Sequence, residues 1–104
     1  MGEILYNKLI RDEIPTIIEE SHKKCVTKRV TGEELMQLLN EKLTEEVEEY
    51  LESNSIEELA DILEVIHGIV HHRNIEFDDL EEMRAKKKDE RGGFLKGAKL
   101  IKVY

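Results

Sequence analysis

Apolar residues recur at helical spacing along most of the chain, and the interruptions between those stretches mark out four helices. Ile14, Ile17 and Ile18 give one apolar face to a short segment over residues 13–21, where Asp12 is placed to cap and Pro15 is tolerated in the first turn. Thr31-Gly32-Glu33-Glu34 has the form of a capping box and opens a long helix reaching about residue 52. Its apolar stripe is Leu35, Met36, Leu39, Leu43, Val47, Tyr50 and Leu51. Ser53-Asn54-Ser55 interrupts that pattern, and Ser55 caps a third helix that ends near Arg73-Asn74. This third helix is apolar over most of its circumference, so it reads as central and buried. A fourth spans roughly residues 77–90, with Leu80, Met83 and Arg84 turned inward and Lys86, Lys87 and Lys88 outward, and Gly92-Gly93 stops it. Residues 4–10 read as extended or irregular, whereas 25–30 and 98–104 favour short strands. The expected fold is all-α: a bundle of about four helices with a small β accessory. No repeat, low-complexity stretch or linker divides residues 1–104, so one domain is expected.

Against this pattern, a few acids stand where a buried surface is expected. Turned at about 100° per residue, Glu46 falls inside the apolar stripe of the long helix, between the directions of Leu35 and Leu39. Glu45 and Glu49 flank that edge, while Glu41, Glu48 and Glu52 point to the far side. On the third helix Glu58 lies between the directions of Val65 and Ile69, and Asp61 borders the same sector. Glu46 with Glu49 and Glu58 with Asp61 are each spaced i, i+3, which stacks two carboxylates on one face. A buried, unpaired carboxylate costs several kcal/mol unless a cation compensates it or it stays protonated. An all-oxygen set of this kind suits Mg²⁺, or Mn²⁺, rather than zinc. Ion pairing with lysines is the plainer explanation. For Glu58 alone there is a further one, since it stands three residues after the Ser55 cap and can bond back to that amide.

Composition narrows the partners. With 104 residues, 39 % hydrophobic and 38 % charged, the chain is strongly polar with a thin core, and oligomerisation would help its stability. A formal charge of −8 argues against nucleic acid or an anionic membrane as partner. The same charge requires local cations wherever a polyphosphate approaches. A single cysteine, Cys25, fits a reducing cytoplasm, and no apolar run suggests a membrane span or signal h-region. His67 and His71, spaced i, i+4 and followed by His72, offer a rival zinc reading, but no Cys or acid completes a recognisable set.

Glu45-Glu46-Val47-Glu48-Glu49 followed by Glu58-Leu59-Ala60-Asp61 resembles the motif of the MazG-like all-α nucleotide pyrophosphohydrolases, a superfamily that includes phosphoribosyl-ATP pyrophosphohydrolase and the dimeric dUTPases. Tyr6-Asn7-Lys8-Leu9-Ile10-Arg11-Asp12-Glu13-Ile14-Pro15 and Glu90-Arg91-Gly92-Gly93-Phe94 are similar to the ends of the short, phosphoribosyl-ATP pyrophosphohydrolase-like members described as house-cleaning pyrophosphatases. Together these motifs cover nearly the whole chain. Glu13 departs from the lysine expected at that place, and the Arg/Ser/Gly-rich C-terminal segment of true phosphoribosyl-ATP hydrolases is missing, which makes that activity the alternative. The resemblance implies Mg²⁺-dependent hydrolysis of a nucleoside triphosphate to the monophosphate and pyrophosphate. It implies metal ligation by Glu46, Glu49, Glu58 and Asp61. On this reading Glu45 or Glu49 is the candidate proton acceptor. Lys42, Lys8, Arg11, Lys87 and Arg91 are candidates for holding phosphates. A homodimer is expected, with a tetramer as the alternative. A catalytically silent helical regulatory module is the reading from a different class.

Overall fold

The computed structural model describes residues 2–104 and contains, among them, four α-helices and no β-strand. These are α1 (Ile14–Glu20), α2 (Gly32–Ser53), α3 (Ile56–His72) and α4 (Phe77–Arg91). The helices stand where the apolar periodicity places them; their caps differ in part. Ser55 caps α3 as expected, its hydroxyl accepting from the Glu57 amide at 3.3 Å. Thr31 makes no side-chain cap bond on α2. A capping box needs helical backbone from the residue after its cap, whereas Gly32, next after Thr31, lies in the left-handed region at φ 61°. The N-cap of α1 is Glu13, not Asp12, and it too lacks a side-chain bond.

Asparagine ends both central helices. Asn54 adopts φ 56° and donates its amide to the Tyr50 carbonyl at 2.7 Å, while Asn74 takes φ 58° just after α3. Asparagine tolerates this left-handed geometry better than most side chains, which makes tight reversals there inexpensive. The reversal through Asn54 and Ser55 folds α2 and α3 into an antiparallel pair, the only extensively packed unit of the described chain. Leu39 meets Gly68 near one end of the seam; an added Cβ at Gly68 would lie 3.3 Å from Leu39 Cδ2. The buried residues are Leu39, Val65, Val70 and one charged group, Glu46. α4 leans on α3 alone, with the His67 ring stacked on Phe77 at a centroid distance of 3.8 Å. α1 packs against no other helix.

The rest of the chain spreads widely. Its radius of gyration is 18.2 Å, where a compact chain of this length has about 13 Å. Leu51, Ile56, Met83, Phe94, Leu95, Leu100, Ile101 and Val103 are all exposed. The expected β accessory does not form: segments 25–30 and 98–104 carry no strand pairing. A two-stranded ribbon is marginal without an apolar face to cover, and Val26, Leu100 and Ile101 lie open to solvent. The inward placement of Met83 and Arg84 also fails. Met83 is exposed, and Arg84 pairs with Glu81 one turn back on its own helix, because no further helix faces α4. Among the described residues no helix is long and apolar enough to cross a membrane.

Candidate metal centre

The α2–α3 seam decides which acids meet. Antiparallel packing that sets Leu39 against Gly68 carries Glu46, two turns further along α2, to the N-terminal half of α3, where Glu58 and Asp61 stand. Two sets of carboxylate oxygens result, each with its ligand atoms within 4.8 Å of one another. One comprises Glu45, Glu46 and Glu49 of α2; the other comprises Glu46, Glu58 and Asp61 across the two helices. Glu46 belongs to both. Of the four acids implied as ligands, Glu46, Glu58 and Asp61 are brought together across the two helices, while Glu49 joins them only through Glu46, with Glu45 beside it.

Glu46 is 6 % exposed, and its Oε2 lies buried with no hydrogen-bond partner, as does Oε2 of Glu58. Burial, acting against a proximal Lys42 and reinforced by Glu49, pushes the Glu46 carboxyl above the usual glutamate range. Capping does not account for Glu58: the Ser55 amide donates instead to Ser53 Oγ at 3.1 Å. Buried carboxylate oxygens left without donors are the exception in folded proteins, and a cation is one standard reason for them. The donors here are all carboxylate oxygens, the chemistry Mg²⁺ and Mn²⁺ select, so the residues present fit such an ion.

Cations of the chain itself surround this cluster. Lys42 Nζ lies 3.2 Å from Glu46 Oε1 and 3.4 Å from Glu45 Oε2. Lys8 reaches from the N-terminal segment to Glu45 Oε1 at 2.7 Å, and Arg11 Nη2 reaches Asp61 Oδ1 at 2.7 Å. The hydrogen bond from Lys8 holds the Glu45 carboxyl below its usual range. Five carboxylates thus face three cations, an excess of two negative charges when all are ionised. Lys87 and Arg91 are exposed on α4, which does not touch α2, and neither makes an ion pair within the described residues. Of the five basic candidates, the structure brings three to the acids and leaves two apart.

The histidines take no part. His67 is occupied in its stack on Phe77, His71 packs edge-on against His72, and no metal-competent group among the described residues includes a histidine. What sequence reading missed is the pairing of Lys8 with Glu45 and Arg11 with Asp61, across 37 and 50 positions. Glu45 and Asp61 lie on different helices, so no spacing along the chain signals these two pairs. Compared with known proteins, the chain matches no family model, no curated protein and no solved structure.

Proposed function

We propose that this chain is an Mg²⁺-dependent nucleotide pyrophosphohydrolase of MazG-like type, cleaving a nucleoside triphosphate to its monophosphate and pyrophosphate. The observation that carries the reading is the pair of buried, unpartnered oxygens on Glu46 and Glu58 inside the three-acid set of Glu46, Glu58 and Asp61 that spans two helices. The motif resemblance supports the same assignment, with Glu46, Glu49, Glu58 and Asp61 holding the ion. A bound divalent ion would supply charge neutralisation at the phosphoryl oxygens. Glu45 and Glu49 flank the shared ligand Glu46, and either can accept a proton from the attacking water. Lys42 stays beside Glu46 as its counter-ion. Lys8 and Arg11 are the cations close enough to meet phosphate oxygens in a chain whose net charge otherwise repels them.

A pyrophosphate-release screen over canonical and modified triphosphates, with phosphoribosyl-ATP included and with Mg²⁺ or Mn²⁺, tests the assignment. Turnover is expected on triphosphates, and its loss in Glu46→Ala and Asp61→Ala with helix content retained. Undiminished turnover in both variants removes the site. The second reading, a silent helical module, draws on the three acids already paired with lysine or arginine. Calorimetry with Mg²⁺ and a non-hydrolysable triphosphate separates the two, because absence of metal-linked nucleotide binding favours the module.

The proposal includes a homo-oligomer. The chain exposes 9905 Å², against about 6,100 Å² for a compact monomer of its mass. That excess surpasses the roughly 800 Å² each partner contributes to a standard interface. Its apolar part, including Leu51, Ile56, Leu59 and Leu63 beside the α2–α3 turn, is the kind of surface subunits cover. Sedimentation is expected to give a dimer or tetramer at micromolar concentration; a monomer there would sink this part of the proposal.

A further inference from the structure

Each of the two acid sets carries one cation from the same four-residue stretch of the N-terminal segment, Lys8 to Arg11. Lys8 sits on the first set through Glu45, and Arg11 sits on the second through Asp61. The stretch they belong to precedes α1, which packs on no other helix, so the segment reaches the α2–α3 pair ahead of an otherwise unsupported element. Lys8 and Arg11 keep 40 % and 55 % of their side chains in solvent. Ion pairs this exposed are weak and are readily exchanged. Beneath them, Glu46 is only 6 % exposed, and one of its oxygens is buried and lacks any donor. The strap therefore neutralises the rim of the cluster and leaves its floor unsatisfied.

We propose that the segment carrying Lys8 and Arg11 is an exchangeable strap: a divalent cation takes Asp61 from Arg11 and, by its charge, loosens Lys8 from the neighbouring Glu45, and the two freed cations then hold the phosphate oxygens of the ligand. This deepens the pyrophosphohydrolase reading and rests on it for the second half of the exchange. Electrostatics fixes the order of events. Arg11 and a doubly charged ion compete for the same Asp61 oxygens, and the ion repels Lys8 from Glu45 beside the ligands, so the ion binds against the strap. Once displaced, Lys8 and Arg11 remain tethered beside the site, where a polyanion offers them a stronger partner than a single carboxylate. The cluster would then change its own cations for the ion without leaving either charge unpaired.

The test uses Lys8→Gln, Arg11→Gln and the double variant, whose exposed positions spare the α2–α3 core. Mn²⁺ binding to the metal-free protein, read by electron paramagnetic resonance without any phosphate ligand, is expected to tighten about threefold in each single variant and about tenfold in the double. Inorganic tripolyphosphate binding at saturating Mn²⁺ is expected to weaken about tenfold in the double variant. Unchanged or weaker Mn²⁺ binding in all three overturns the competition, and undiminished tripolyphosphate binding overturns the transfer. Hydrolysis is not among these readouts. Opposed shifts in a protein that turns over no nucleotide would keep the strap and remove the enzymatic reading, whereas an active enzyme with indifferent Mn²⁺ affinity would do the reverse.

Discussion

The α2–α3 pair and the two ends of the chain have nearly the same supply of large apolar residues but use them differently. Between the central helices, Leu39, Val65 and Val70 are buried and the backbones approach closely enough for Leu39 to touch Gly68. At the ends, Ile4, Leu5, Phe94, Leu95, Leu100 and Ile101 face solvent. The difference is one of partners rather than of composition. A helix sheds water from its stripe only where a second stripe lies opposite, and within one chain only α2 and α3 supply that for each other. The acid cluster belongs to this one ordered seam, which is what gives its carboxylates fixed positions.

The comparison breaks most sharply at Leu39. Leu39→Ala removes a side chain that is 5 % exposed, and a loss of about 3 kcal/mol is expected from lost burial and the cavity left behind. The matching change Leu100→Ala, at a residue 79 % exposed, is expected to stay within about 0.5 kcal/mol. Urea titrations followed by circular dichroism measure both at a fixed protein concentration. Equal losses would mean that the end segments are packed in solution, by a partner copy or otherwise.

Glu46 sharpens the contrast from inside the seam. Its carboxylate is the one charged group among the buried residues, so Glu46→Gln is expected to stabilise the metal-free protein by about 1 kcal/mol at neutral pH. The same change should remove Mg²⁺-dependent turnover, and stabilisation with loss of function is the combination that separates a ligand from a structural ion pair. The pH dependence follows from the directions of the shifts. The fold raises the Glu46 carboxyl mainly by burial, so the native state binds that proton more tightly than the unfolded chain. Its contribution to stability is complete below the usual glutamate value and disappears as pH rises through the raised native value. Glu45, held low by Lys8, behaves oppositely: its contribution is present above the usual value and is lost as pH falls through the lowered one. Metal-free protein should therefore gain stability on mild acidification from neutral pH, a gain that Glu46→Gln abolishes while leaving the loss at lower pH. Parallel pH curves for the two proteins would refute this assignment.

How legible each part was in the sequence follows the same division. The helices were readable because period-3.6 stripes and breaks such as Ser53-Asn54-Ser55 act locally, and the wheel position of Glu46 inside its stripe correctly marked it as buried. Convergence of Glu46 with Glu58 and Asp61 depended on the α2–α3 register, which the acid spacing allowed but did not determine. The strands expected at 25–30 and 98–104 were misjudged because propensity describes a segment, whereas a strand requires a neighbour. Thr31 failed as a cap for a backbone reason, the left-handed Gly32, that a pattern of side-chain types does not encode. The partners of Lys8 and Arg11 lay beyond any local rule. Long-range ion pairs are set by the fold, and nothing in the stretch around Lys8 names Glu45.

The finest test of the seam is Gly68. Alanine there gains about 1 kcal/mol of helix propensity over glycine, but its Cβ would stand 3.3 Å from Leu39 Cδ2, closer than an ordinary contact. Leu39 is buried and has little room to retreat, so the two effects oppose each other, and the net change in Gly68→Ala is expected to lie within about 0.5 kcal/mol. In a Leu39→Ala background the obstructing methyl is gone, and the same substitution should then stabilise by nearly its full propensity gain. The double-mutant cycle thus isolates the close approach of α2 and α3 from helix formation in α3. Equal effects of Gly68→Ala in both backgrounds would mean that the two helices stand further apart than the Leu39–Gly68 contact requires. The register that brings Glu46 to Asp61 would lose its support with them.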